Sequence, residues 1–200
     1  MKNIIISIIF GLFTIGCQST NETVKVKSAC GHWNGAPEWV CSAENGLDRS
    51  MYDKAAYGVN DSAVGSLSHR RILAIMDARN MLAGDITSIL ESTLENIETT
   101  SHDTKTGKND TATNQLSQII SSIKSKNQMN QTIKSVLVNT TIISEQRSPD
   151  GAIYILIGLK KGAVSKLVEQ VVNASELDNT NLVMDDAKKQ LSNELKAAFQ

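Results

Sequence analysis

The chain has 200 residues, a formal charge of −1, 40% hydrophobic residues and only 4% aromatics. That length suits one domain with extensions, and the charge balance lacks the basic excess that nucleic-acid binding requires. The core must come from Ile, Leu, Val and Ala, and no apolar run reaches the roughly 20 residues of a membrane-spanning helix.

The chain opens Met1-Lys2-Asn3, followed by twelve mostly apolar residues from Ile4 to Ile15 and then Gly16-Cys17. A basic start, a short apolar core and a small residue before the break mark a bacterial export signal. The segment Thr14-Ile15-Gly16-Cys17 resembles the lipobox of bacterial lipoproteins, with Thr14 where Leu is usual. The resemblance implies a signal peptide at 1–16, a diacylglycerol and palmitate-type acyl modification on Cys17, and a mature protein beginning there. The competing reading is an ordinary cysteine in a cleaved secretory signal; no small-x-small cleavage site lies nearby. Each buried methylene contributes about 0.8 kcal/mol, so one acyl chain holds marginally and two or three hold firmly. Loss of 1–16 leaves 200 − 16 = 184 residues, and loss of Lys2 takes the charge to −2. Gln18 rather than Asp after the cysteine favours, by analogy with bacterial sorting, the outer membrane.

Residues 17–29 are polar and non-periodic, as in a tether. Cys30 and Cys41 then form an even pair in an exported chain, where oxidation is permitted. They bracket two glycines and a proline, a segment that bends back easily. A Cys30–Cys41 disulfide would stabilise the fold by roughly 3 kcal/mol; two unpaired thiols are the alternative. His32 lies near both cysteines, but no second Cys/His cluster completes a metal site. Trp33 and Trp39 flank Pro37 and are candidate interaction residues, Trp being favoured at interface hot spots. For Trp39 a place at one end of the core is the simpler reading.

A short strand is expected at Ala55–Val59, closed by Asn60-Asp61-Ser62. From about Ser66 to Glu98, Ile75, Ala78, Leu82, Ile86, Ile89 and Ile97 recur at helical spacing, predicting one long amphipathic helix capped by Ser66 or Ser68. Gly84 weakens it by about 1 kcal/mol relative to Ala, for which close packing against a strand is one reason. Residues 99–112 read as a polar loop, and Leu116, Ile119, Ile120 and Ile123 as a shorter helix fading at Lys124–Asn127. Ile133–Ser144 is rich in β-formers and predicts a strand. Ser148-Pro149-Asp150-Gly151 predicts a turn, and Ala152–Lys160 its antiparallel partner. Both faces of this hairpin are largely apolar, so helices or another subunit are expected to cover each. Helices follow at Ala163–Val172 and about Met184–Phe199. The fold class is α+β: a small antiparallel sheet with a long helix across it, in strand-helix-strand-strand order, plus C-terminal helices. The domain reading is signal 1–16, tether 17–29, α+β domain 30–173 with an insertion at about 99–131, and a helical extension at 174–200.

Gly35-Ala36-Pro37-Glu38-Trp39-Val40, Tyr57-Gly58-Val59, Asp77-Ala78-Arg79, Leu82-Ala83 and Tyr154–Leu159 occur in the order found in one family. Over roughly residues 35–165 the chain resembles the Helicobacter-type Lpp-twenty family of outer-membrane lipoproteins, related to flagellar outer-membrane lipoproteins. Asn60 departs from the glycine expected after Tyr-Gly-Val, and the 99–131 segment is longer than the usual connection. The resemblance implies a dodecin-like fold and no enzymatic activity.

No nucleophile elbow, phosphate loop, zinc pattern or paired-carboxylate motif is present in the sequence. His32, His69 and His102 are scattered, and Asp77 and Arg79 read as a solvated helix face. The first expectation is a non-enzymatic outer-membrane lipoprotein with a structural or protein-interaction role in the cell envelope, self-associating through its sheet. A flagellar basal-body lipoprotein, with flagellar or envelope partners, is the second. A module holding a flavin-like or apolar ligand between helix and sheet is the third. No metal and no cofactor beyond the lipid on Cys17 are expected, and the membrane is the partner.

Overall fold

The computed structural model describes residues 32–103, 111–124, 126–173 and 182–200. Two 3-10 turns, Glu38–Val40 and Ala43–Gly46, precede strand β1 (Tyr52–Asn60) and helix α1 (Leu67–Asp103). Then come α2 (Thr111–Ile123), α3 (Lys126–Leu137), β2 (Thr140–Arg147), β3 (Ile153–Lys160), α4 (Ala163–Asn173) and α5 (Leu182–Ala198). The strands form one antiparallel sheet with β3 in the centre, flanked by β1 and β2. The fold is α+β, with α1 laid across the sheet and helices completing the chain.

Helix α1 runs for 37 residues because it serves two packing sites. Its first half lies on β1 and β3, and its later turns join α2, α3 and α5. Ala74, Ala78, Leu82, Ile86, Leu90 and Leu94 form one buried stripe continuous with Ile153, Ile155, Ile157 and Leu159 of β3. Ser66 is the N-cap: its hydroxyl accepts the His69 amide at 3.2 Å.

The small residues that bring helix and strand together are Ala74, Ala78 and Gly58. A Cβ on Gly58 would stand 2.2 Å from both the Ala74 carbonyl oxygen and the Ala78 nitrogen. Glycine there permits backbone contact between β1 and α1. Gly84, expected to mark such an approach, is exposed, with nothing near the site of its missing Cβ.

Several boundaries differ from expectation. Residues 99–103 continue α1 rather than starting a loop. The Thr99 and Thr100 hydroxyls donate to the Glu95 and Asn96 carbonyls, 2.6 and 2.8 Å, so these polar residues bond within the helix instead of competing with it. Ile133–Leu137 is helix, not strand. Met129, Ile133, Val136 and Leu137 recur at i, i+4, i+7 and i+8, and all are buried against the helical core, which overrides their β propensity. The apolar residues of α2 and α3 and those of α5 (Leu191, Leu195) belong to the same core as α1.

The hairpin turn follows its sequence. Gly151 donates to the Ser148 carbonyl at 2.9 Å and takes φ +90°, with Pro149 at the second turn position. The two sheet faces are covered differently from expectation. Helix α1 covers one; the segment from Trp33 to Leu47, with its two 3-10 turns, covers the other.

Candidate functional site

The covering segment builds the most distinctive surface of the molecule. It begins with a turn in which Ala36 donates to the Trp33 carbonyl at 3.1 Å and Gly35 takes φ +84°, as a type II turn requires. Pro37 then leads into Glu38–Val40, which directs Trp39 and Val40 onto Ala55 of β1 and Leu156 of β3. Trp39 is 7% exposed, a core residue of this second cluster. The return path is equally tight: a Cβ on Gly46 would meet Trp39 Cβ and Leu156 Cδ2, each at 2.7 Å. Cys41, between the two 3-10 turns, is disulfide-bonded. Cys30, its expected partner, and Cys17, the expected lipidation site, lie outside the described residues.

Trp33 is only half-buried. Its ring lies 4.9 Å from that of Tyr154 on β3, and the exposed His32 stands edge-on to Tyr154 at 5.8 Å. Tyr154 pairs with Val59 across the strands, so the two side chains share a face. Burial, and then the Asp150 charge, raise the Tyr154 phenol above its ordinary value. Asp150 is itself held below the usual carboxylate value by the Ser148 hydroxyl, which donates to it. Trp33 and Trp39 thus have different positions, one on the surface and one beneath it. The sequence places Tyr154 in the second hairpin strand but carries no signal that joins it to Trp33, 121 residues earlier.

Polar side chains of α1 fasten the helix to the sheet, Asp77, Arg70 and Arg71 at this end and Arg79 at the other. The Asp77 carboxylate accepts the Val59 amide at 2.9 Å, terminating an amide of the edge strand β1. Arg70 donates to the Gly151 carbonyl at 2.7 Å and to Asn60 Oδ1 at 3.4 Å. Arg71 pairs with Glu145 at 2.7 Å, and Arg79 donates to Thr140 Oγ1 at 3.1 Å. Asp77 and Arg79 therefore cross to other elements and are not a solvated face with local pairing.

Among the described residues the histidines do not converge. His32 and His69 are exposed on separate segments, and His102 lies in the last turn of α1. Among the described residues no group of three or more His, Cys, Asp or Glu is placed to hold a metal ion. A cleft of about 510 Å³ lies beside the starts of β1 and α4 and the end of α5, with Arg49, Lys161 and Lys196 on its walls. Each of these cations has an acidic partner: Glu44 at 2.6 Å, Asp53 at 3.4 Å and Glu169 at 2.8 Å respectively. Asp53 also accepts the Val164 amide at 3.0 Å and so caps α4. These charges serve the fold.

No family model, curated protein or solved structure matches the chain.

Proposed function

We propose that the chain is a non-enzymatic outer-membrane lipoprotein with a structural or protein-interaction role in the cell envelope, tethered through acyl chains on Cys17. The observation that carries this reading is the sequence Met1-Lys2-Asn3, a short apolar run and Thr14-Ile15-Gly16-Cys17. The disulfide at Cys41 supports export, because such bonds persist in oxidising compartments. Among the described residues no helix is long and apolar enough to cross a membrane; in this reading the acyl chains supply the attachment. The resemblance to the Lpp-twenty family supports the same assignment.

Self-association belongs to this reading. The outer edge of β2 is unpaired in the sheet. Ile142, on its α1-facing side, and Ile72 and Met76, one turn apart on α1, leave apolar surface to solvent beside it. Fractionation with palmitate labelling of wild type and Cys17→Ala tests the anchor: label and outer-membrane recovery are expected for the wild type, and loss of both for the variant. An unlabelled wild type recovered from the periplasm would overturn it.

A further inference from the structure

The apolar side chains left exposed at one end of the sheet point to a contact beyond the acyl anchor. Val64 is 79% exposed and Leu67 47%, while Val59 shares a strand pair with Tyr154, whose ring lies tilted against that of Trp33. Arg70 holds the first turns of α1 to the hairpin turn, so the β1–α1 connection carrying Val64 and Leu67 lies at the same end as Tyr154. Singly exposed apolar residues are ordinary; a Trp, a Tyr and three aliphatics gathered at one end are not.

This is also the end at which the described residues begin, with His32 and Trp33 against Tyr154. Fourteen residues separate Cys17 from His32, a span of at most about 50 Å when fully extended. His32 and Trp33 are thus the described residues nearest, along the chain, to the proposed lipid. We infer that Trp33, Tyr154, Val59, Val64 and Leu67 form a footing that rests on the lipid surface, with the rings at headgroup depth and the aliphatic tips below. The inference rests on the lipoprotein reading and specifies which face of the body meets the membrane.

The chemistry suits that occupant. Trp and Tyr have an apolar ring body and a polar tip, the combination that settles at membrane interfaces. Nearby charges nearly cancel: Arg70, Arg71 and Arg147 against Asp61, Asp77, Glu145 and Asp150, with Arg71 and Glu145 already paired. The contact is therefore apolar and does not depend on anionic lipid. So few side chains bind weakly from free solution, but a short tether raises the effective concentration to the millimolar range and makes weak contact sufficient. The footing closes on the anchored protein and opens on the released one.

The test replaces the acyl anchor. Residues 18–200, which retain every described residue, carry an amino-terminal hexahistidine and are held on phosphatidylethanolamine–phosphatidylglycerol vesicles through nickel-chelating lipid. Brominated acyl chains serve as the quencher. Tryptophan emission is expected to fall by about a third, Trp33 being the one of two tryptophans at the interface. Trp33→Phe abolishes the quenching, Val64→Ser with Leu67→Ser at least halves it with an unchanged circular dichroism spectrum, and about 0.5 M NaCl leaves it intact. Unquenched emission from the tethered protein, quenching retained in Trp33→Phe, or quenching lost in salt overturns the inference. Palmitate labelling of the native chain is read separately, so failure of the anchor and failure of the footing are distinguishable.

Discussion

Gly58→Ala puts the contact between β1 and α1 to a direct test. The added methyl would lie 2.2 Å from the Ala74 oxygen and the Ala78 nitrogen and 2.8 Å from Ala78 Cα. All three are backbone atoms of one helix, so no side chain can rotate away. Ordinary contact requires α1 to lift by about 1 Å, and overpacking of this kind costs about 1–3 kcal/mol, with the rigid obstacle favouring the upper end. The same lift stretches the 2.9 Å bond from the Val59 amide to Asp77, adding about 1 kcal/mol. The expected loss is about 3–4 kcal/mol, or roughly 10 °C in Tm for a chain of this size. Gly84→Ala is the control of opposite sign. It meets nothing, sits within a helix, and is expected to stabilise by about 0.5–1 kcal/mol. Urea unfolding with matched m-values reads both. A loss below about 1 kcal/mol at Gly58, or an equal loss at Gly84, would refute the packing argument.

Asp77→Ala is expected to cost about 1 kcal/mol in urea unfolding, while Asp77→Asn, which keeps an acceptor oxygen for Val59, recovers most of it; equal losses would show that the hydrogen bond is not the cause. Reduction of the native protein, or Cys41→Ser, is expected to lower stability by about 2–4 kcal/mol, and an unchanged denaturation midpoint would count against a structural role for the bridge. Tyr154 gives a pH dependence. Its pKa is raised in the fold, so its contribution is complete below the ordinary value of 10.0 and is lost as pH rises through the higher folded value. Unfolding midpoints measured from pH 8 upward are expected to decline on the alkaline side, with a shallower decline in Tyr154→Phe; identical profiles would remove Tyr154 as the cause.

Much of the fold was legible because burial imposes a period. The stripe through Ala78, Leu82 and Ile86 announces α1, alternation announces β3, and Pro149-Asp150-Gly151 announces the turn. Where two periods compete, the local signal failed. Ile133, Val136 and Leu137 favour strand by composition, yet their spacing from Met129 fits a helix whose partners are remote in sequence. Thr99 and Thr100 looked like loop because their hydroxyls can compete with the backbone; here they bond one turn back. The glycine that allows helix and strand to touch lies on β1, not α1, since only the strand residue points its missing Cβ at the contact. At the candidate site, both tryptophans stood out by type, but their separate depths depend on the faces of strands over a hundred residues away. Asp77 and Arg79 were misread for the same reason: Val59 and Thr140 are 18 and 61 residues distant. No local pattern reports such bonds.

The central claim is that one acylated cysteine holds this folded body to the envelope. Intact-mass measurement of the protein extracted from membranes, followed by sequencing of its first peptide, addresses it most directly. The account predicts an amino terminus at Cys17 carrying the mass of a diacylglyceryl group and a further fatty acyl chain. A processed protein whose first residue is unmodified, or which retains residues 1–16, would contradict it.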